Sequence, residues 1–259
     1  MFIDTHAHLY TGEFDPDRDA VIERALAAGV GRVVLPDIDS TTREAELTLA
    51  ARYPGLMLPL LGIHPTSIRE DYRDELAALE RGLARHAARG IGECGIDLYR
   101  EKTRYKEQVI AFEWQLHAAR ELDLPVIIHS REAFREVVAV LKRQHHDMRG
   151  IFHCFPGDAE DARRVIDLGF LLGIGGVVTF KNSLMATVVR ETGLDRVVLE
   201  TDAPYLAPAP RRGTRNESAC IPLIAAKIAE LTGRAASEVE EITTRNALEL
   251  FSLQPQTSN

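Results

Sequence analysis

Cysteine is scarce in this 259-residue chain: Cys94, Cys154 and Cys220 are odd in number, far apart and without Cys-x-x-Cys spacing. That excludes a disulfide scaffold and points to a reducing compartment, the cytoplasm. Long apolar runs are absent too, none approaching the roughly 20 residues that span a bilayer, so no membrane partner is expected. No basic segment followed by an apolar one marks a secretory signal. Positive charge is the minority, with 31 Lys and Arg against 39 Asp and Glu and a net charge of −8. A protein that coats nucleic acid through a broad basic face is therefore disfavoured. An enzyme acting on nucleic acid is not, because bound divalent ions outweigh the global charge at a reacting phosphate.

What is present is an alternation of short apolar runs and longer amphipathic stretches. Strands are expected at Phe2–Thr5, Arg32–Leu35, Met57–Gly62, Gly90–Glu93, Val126–His129, Gly150–His153, Leu171–Ile174 and Arg196–Leu199. Helical patterns lie between them at Asp17–Ala28, Thr42–Arg52, Tyr72–Ala88, Tyr105–Leu122, Ala133–Arg143 and Ala159–Leu168, with a weaker one around Asn182–Glu191. Several stop at Gly or Pro, as Gly29 and Pro125 illustrate. Two further helices follow near Ile221–Leu231 and Ala236–Phe251. Strand–helix pairs of about 30 residues imply βαβ units and a parallel sheet. Eight pairs without a linker predict one α/β domain over residues 1–253, a (β/α)8 TIM barrel with two extra C-terminal helices, and a flexible tail at 254–259. The rival, a Rossmann-like sheet, lacks the Gly-x-Gly-x-x-Gly that should follow its first strand.

The ionisable residues gather at strand ends. His6 and His8, in Asp4-Thr5-His6-Ala7-His8, share one side of a strand by the period of two, with Asp4 or a backbone carbonyl available to orient a ring. Glu93, His129 and His153 end strands four, five and six, and Asp202 follows strand eight. The carboxyl-terminal strand ends are where barrel enzymes assemble their sites. Four imidazoles and two carboxylates suit two divalent ions, with Glu93 as the bridge. His6, His8 and Asp202 would complete one ion, His129 and His153 the other. Ions roughly 3.5–4 Å apart can clamp a phosphoryl or carbonyl oxygen. Asp202 and Glu93 are the expected catalytic carboxylates, with Asp202 taking the proton of the attacking water. No Ser/His/Asp or Cys/His arrangement competes.

The motifs Asp4-Thr5-His6-Ala7-His8, Gly62-Ile63-His64-Pro65, Gly92-Glu93-Cys94-Gly95-Ile96-Asp97, Pro125-Val126-Ile127-Ile128-His129-Ser130-Arg131, His153-Cys154-Phe155 and Glu200-Thr201-Asp202-Ala203-Pro204-Tyr205-Leu206 run in order over nearly the whole chain. In them the chain resembles the TatD-type metal-dependent deoxyribonucleases of the amidohydrolase superfamily. The resemblance extends to Thr179-Phe180-Lys181-Asn182 and Arg212-Gly213-Thr214-Arg215-Asn216-Glu217. It implies a TIM barrel, metal-dependent hydrolysis of DNA phosphodiesters, often from the 3′ end of single strands, and metals carried by the six ligands above. Pro156 and Ser218 depart from the family pattern, in loops that bear on substrate choice.

His64 has two readings: a phosphate donor or proton shuttle beside the metals, or a structural histidine pinned before Pro65. Arg131 is placed to meet a phosphate or to pair with Glu132. The run Pro208–Asn216 holds Arg211, Arg212 and Arg215 directly after Asp202, and arginine forks match phosphate oxygens. Arg215 and Arg212 are thus expected to bind substrate. Lys181 and Tyr205 either serve the site or brace their loops. Trp114 and the neighbours Cys94 and Cys154 read as packing, and His86, His117, His145 and His146 take no role. The cation is open among Zn2+, Mn2+ and Mg2+: imidazoles favour the first two, while the resemblance implies Mg2+ support. The expected substrate partner is nucleic acid, single-stranded DNA first, with no obligate protein partner. The alternative is a deacylase of aminoacyl-tRNA or another ester or amide hydrolase on the same dinuclear site.

Overall fold

The computed structural model describes residues 1–144 and 148–255. Its strands are β1 (Phe2–Asp4), β2 (Val30–Leu35), β3 (Met57–Pro59), β4 (Ile91–Asp97), β5 (Val126–Arg131), β6 (Gly150–Phe152), β7 (Leu171–Ile174) and β8 (Val197–Leu199). The helices are α1 (Arg18–Ala27), α2 (Arg43–Arg52), α3 (Tyr72–Arg85), α4 (Tyr105–Glu121), α5 (Phe134–Arg143), α6 (Ala159–Asp167), α7 (Met185–Thr192), α8 (Ile221–Thr232) and α9 (Ala236–Leu250). All ladders are parallel, in the orders β1-β2-β3 and β4-β5-β6-β7-β8. Two short seams join them. Leu61 bridges Ile91 between β3 and β4, with the Gly92 N–H donating to the Leu61 carbonyl at 3.1 Å. Between β8 and β1, the N–H of Thr5 donates to the Leu199 carbonyl, that of Asp202 to His6 and that of His8 to Ala203, at 3.0, 2.9 and 2.8 Å. The sheet closes, and the chain is a single (β/α)8 TIM barrel; of the two C-terminal helices expected as extras, α8 follows β8 as the eighth barrel helix and α9 alone is added.

Strand alternation sorts the side chains into two layers. Ile3, Val34, Leu58, Leu60, Ile127, Ile151, Leu171 and Val198 fill the barrel interior, and Ala247 and Leu250 of α9, with Phe251 just after it, cover its base. Their neighbours Phe2, Val33, Leu35, Val126, Ile128, Phe152, Leu172, Val197 and Leu199 face outward against the helices. Full burial of each such side chain contributes about 1.5–3 kcal/mol. The helices dock by one apolar stripe, as Tyr72, Leu76 and Leu79 of α3 show at four- and three-residue spacing. At the start of α6 the Asp158 carboxylate accepts the N–H groups of Glu160 and Asp161 at 2.9 and 3.0 Å, satisfying two donors the helix leaves open.

Among the strands, the expected ends of the fourth and third shift most. The fourth strand runs on from Glu93 to Asp97. Gly92 and Gly95 serve close approach to β5. A Cβ on Gly95, at φ 136°, would sit 2.0 Å from the His129 carbonyl oxygen. The third strand ends early, at Pro59, before the Leu61 seam. Residues 145–147 and 256–259 lie outside the described residues, and with them His145, His146 and most of the expected tail. Among the described residues, no helix is long and apolar enough to cross a membrane.

Candidate metal centre

Continuing the inward-facing register past the apolar layer brings the polar residues to the mouth. Ile127 is followed two residues on by His129, Ile151 by His153, and Val198 by Glu200 and then Asp202. His6 and His8 enter from the β1 seam, and Glu93 from β4. Their atoms converge. His6 Nε2 and His8 Nε2 are 3.2 Å apart, and Glu93 Oε2 lies 3.2 and 3.6 Å from them. Asp202 Oδ1 is 3.8 and 3.9 Å from the same two nitrogens. The other Glu93 oxygen, Oε1, lies 2.7 Å from His129 Nδ1, 3.5 Å from His64 Nε2 and 3.9 Å from His153 Nε2. His153 Nε2 is also 3.8 Å from Asp202 Oδ1, and its ring stacks on His6 with centroids 3.4 Å apart. The other five expected ligands, and His64, therefore gather around Glu93.

Hydrogen bonds behind the rings decide which nitrogens are free. Tyr10 donates its hydroxyl to the Pro36 carbonyl at 2.5 Å, so its oxygen accepts from His8 Nδ1 at 2.9 Å. That fixes the proton of neutral His8 on Nδ1 and leaves Nε2 as a lone pair. His129 lies between two carboxylates, Nε2 3.0 Å from Asp97 Oδ2 and Nδ1 2.7 Å from Glu93 Oε1, and against the effect of burial these two bonds raise its pKa. His64 is the reverse of His8: its Nδ1 accepts the Thr66 N–H at 3.1 Å, so Nε2 keeps the proton. In that tautomer His64 turns its Nε2–H toward Glu93 Oε1 at 3.5 Å, and with Glu93 and His129 it forms a group whose ligand atoms lie close enough to share a cation. Asp4 does not orient a ring. It is fully buried and accepts from Thr201 N, Thr201 Oγ1 and Ser218 Oγ at 2.9, 2.6 and 2.6 Å.

Tyr10, Asp97 and Glu200 are functional neighbours that the motif reading leaves without a role. Glu200 Oε1 accepts the Cys154 N–H at 2.6 Å and lies 3.1 Å from His153 Nδ1, at an angle short of a hydrogen bond. Two lie on an alternation signal, Tyr10 two after His8 and Glu200 two before Asp202, while Asp97 sits at the end of β4.

The electrostatics are those of buried carboxylates seeking positive charge. Burial raises Asp202 to about 6, against the pull of His153 and His8. Burial would raise Glu93 as well, but His64, His6, His129 and His153 together hold it well below the usual carboxylate range. Burial opposes protonation of His153, yet Glu200 and Asp202 raise it to about 10. Burial and His153 push His6 well down. A divalent cation fits this set. Zn–N and Zn–O bonds of about 2.0–2.1 Å in a tetrahedron put donors about 3.3–3.4 Å apart. The spacings among His6, His8, Glu93 and Asp202 span that value, from 3.2 to 3.9 Å. On the other side, Glu93 Oε1 and His129 Nδ1 bond each other directly.

The expected substrate arginines differ in situation. Arg131 lies over the Tyr99 ring and Arg212 over Phe180, at 4.0 and 3.8 Å from the centroids, and both are exposed. Glu132 pairs with Lys102 instead of Arg131. Arg215 has its fork engaged: it donates to the Glu13 carbonyl and Asp17 at 2.8 Å each and to Glu217 at 3.2 Å, over the Phe14 ring. Lys181 is exposed beside Arg212, and Tyr205 stands half-exposed beyond Asp202. Cys94 is buried, Cys154 half-buried, and Trp114 packs against the Leu61–Leu79 cluster. A groove of about 780 Å³ on the flank, between α2 and the end of α3, holds none of the cluster residues.

The family model described as TatD related DNase matches residues 3–252. An uncharacterized metal-dependent hydrolase of Bacillus subtilis, YabD, is 39% identical over 253 residues, covering 97% of this chain and 99% of its own. A protein of Cronobacter sakazakii named 3′-5′ ssDNA/RNA exonuclease TatD is 37% identical over 256 residues, covering 96% and 97%. The crystal structure of YJJV, a TatD homolog from Escherichia coli K12, superposes with a TM-score of 0.91 at 30% identity, over 98% of each chain.

Proposed function

The chain belongs to the TatD-related DNase family of metal-dependent hydrolases, and from that premise we propose that it removes nucleotides from the 3′ end of single-stranded DNA. The observation that carries this reading is the set of imidazoles and carboxylates around Glu93, buried except for the partly exposed His64, His129 and Asp202. We assign two divalent cations to it. His6, His8, Glu93 and Asp202 would hold one, and Glu93, His129 and His153 the other. Bound there, the cations supply Lewis-acid polarisation of a phosphoryl oxygen and a lowered pKa for water.

The remaining steps belong to the side chains. Asp202 accepts the proton of the attacking water as the general base. His64, with its proton on Nε2 toward the cluster, donates to the departing or non-bridging oxygen. Asp97, Glu200 and Tyr10 hold the His129, His153 and His8 rings. Arg131 and Arg212 meet phosphates along the strand, and Arg215 braces its loop. The relative named a 3′-5′ exonuclease supports the direction of attack.

The test uses 5′-labelled single-stranded oligonucleotides with free or blocked 3′ ends, in EDTA and across Mg2+, Mn2+ and Zn2+, with D-aminoacyl-tRNA in parallel. The expected result is stepwise shortening of free 3′ ends only, lost in EDTA and restored by metal. Release of amino acid from the tRNA without nucleotide release would replace this reading with the deacylase.

A further inference from the structure

Among the described residues, eight large apolar side chains are more than a third exposed, and four of them sit at the barrel mouth. These are Tyr99 in the β4–α4 loop, Leu184 before α7, and Tyr205 and Leu206 after β8. An acidic enzyme gains nothing from wet aromatic rings beside its site unless a ligand covers them.

Tyr99 is the best placed. Its ring is 55% exposed, and the Arg131 guanidinium lies over it at 4.0 Å. Arg131 follows His129 by two residues on β5 and so shares its side of the strand, opposite Asp97 on β4. Asp97 ties the pieces together. Its Oδ2 takes His129 Nε2 at 3.0 Å, while its Oδ1 accepts the N–H groups of Tyr99 and Arg100 at 2.9 and 2.7 Å. One carboxylate therefore registers the aromatic ring against an imidazole of the cluster. Unlike Arg215, Arg131 makes no hydrogen bond or ion pair through its guanidinium among the described residues, so its N–H edges are available. Across the mouth, burial pushes the Tyr205 hydroxyl up, Glu13 and Asp202 add to this, and Arg100 opposes it, so the Tyr99–Arg100 turn and Tyr205 are in electrostatic reach of each other.

We propose that Tyr99 and Arg131 form a subsite for the nucleotide adjoining the scissile phosphodiester. Its base stacks on the open face of Tyr99, and a phosphate oxygen takes the edge of Arg131. Every base has a π-face, so such a platform grips a strand without reading its sequence. A base paired in a duplex cannot reach it without unstacking, which favours single strands. The inference rests on the phosphodiesterase reading above.

The test couples a protein change to a substrate change. 3′-terminal release is measured as kcat/KM on an oligothymidylate and on strands with a tetrahydrofuran abasic residue at each of the last few positions. Wild type is expected to lose roughly tenfold when one particular base is missing, the size of an aromatic–base stack. Tyr99→Leu is expected to lose a similar factor on the intact strand and nothing further on that abasic strand, while Tyr99→Phe behaves as wild type. 2-Aminopurine at the same position should be quenched on binding wild type and stay bright with Tyr99→Leu. If wild type treats all abasic strands as intact, or Tyr99→Leu keeps the full abasic penalty, the subsite is refuted and the phosphodiesterase reading stands. If no strand is shortened in any metal, that reading falls and takes the subsite with it.

Discussion

Thr201, just past β8, gives both its N–H and its hydroxyl to the Asp4 carboxylate of β1, at 2.9 and 2.6 Å. The contact crosses the seam where the barrel's first and last strands meet, one residue before Asp202 and two before His6. A fully buried carboxylate is thus the rivet that sets the β1 histidines against the β8 acid.

Ser218, one of the two departures from the family pattern, supplies a third donor to that carboxylate, at 2.6 Å. Ser218→Ala is expected to cost about 1–3 kcal/mol, because a buried acceptor loses a partner that water cannot replace. Urea denaturation of both proteins measures it, and equal midpoints would remove Ser218 from the seam.

Asp97→Asn should leave the fold intact while His129 loses its charged acceptor. Loss of such a support typically costs roughly 10–100-fold in metal affinity or activity. Competition with a chelating dye reads the metal affinity, and circular dichroism checks the fold. An unaltered metal affinity would separate Asp97 from the centre.

At Gly173 a Cβ would lie 2.2 Å from Glu200 Oε2. Gly173→Ala must therefore displace the carboxylate beside His153, with a strain of about 1–3 kcal/mol. Activity should fall more than the thermal midpoint alone explains, and Gly173→Ser should fall further. A Gly173→Ala variant with full activity would mean Glu200 does not support His153.

Arg215 makes a pH prediction. Its hydrogen bond to Asp17, together with Arg24, draws that carboxyl from 3.8 down to about 2. The folded pKa lies below the unfolded one, so this contribution is present above about 4 and lost as pH falls toward 2. In Arg215→Ala the acid limb of the melting temperature over that window should flatten. The effect should be small and weaken in salt, since Asp17 is exposed. Metal content and 3′-end release should change little, in contrast to Arg131→Ala.

How legible this was from sequence depended on strand parity. His129 and His153 follow interior residues by two, and a reader counting along an apolar run finds both. Glu200 obeys the same rule but hides beside the more conspicuous Asp202. Asp97 breaks the rule, because the ladder register slips between Ile91 and Cys94 and the strand continues through two glycines. Arg215 shows a different limit. Three arginines in five positions look like a phosphate grip, yet Arg215's partners Glu13 and Asp17 lie about 200 residues away in sequence, and no local pattern announces them.

Ala247, Leu250 and Phe251 stopper the barrel below a packed interior, which makes the enzyme a vessel with one opening. A strand cannot be threaded through it. On the exonuclease reading proposed above, each released nucleotide leaves by the way it came, past the polymer still waiting at the rim, and the shortened end must then be reseated. Cleavage by such a body is expected to be distributive, with every strand in a mixture shortening together rather than a few being consumed to completion.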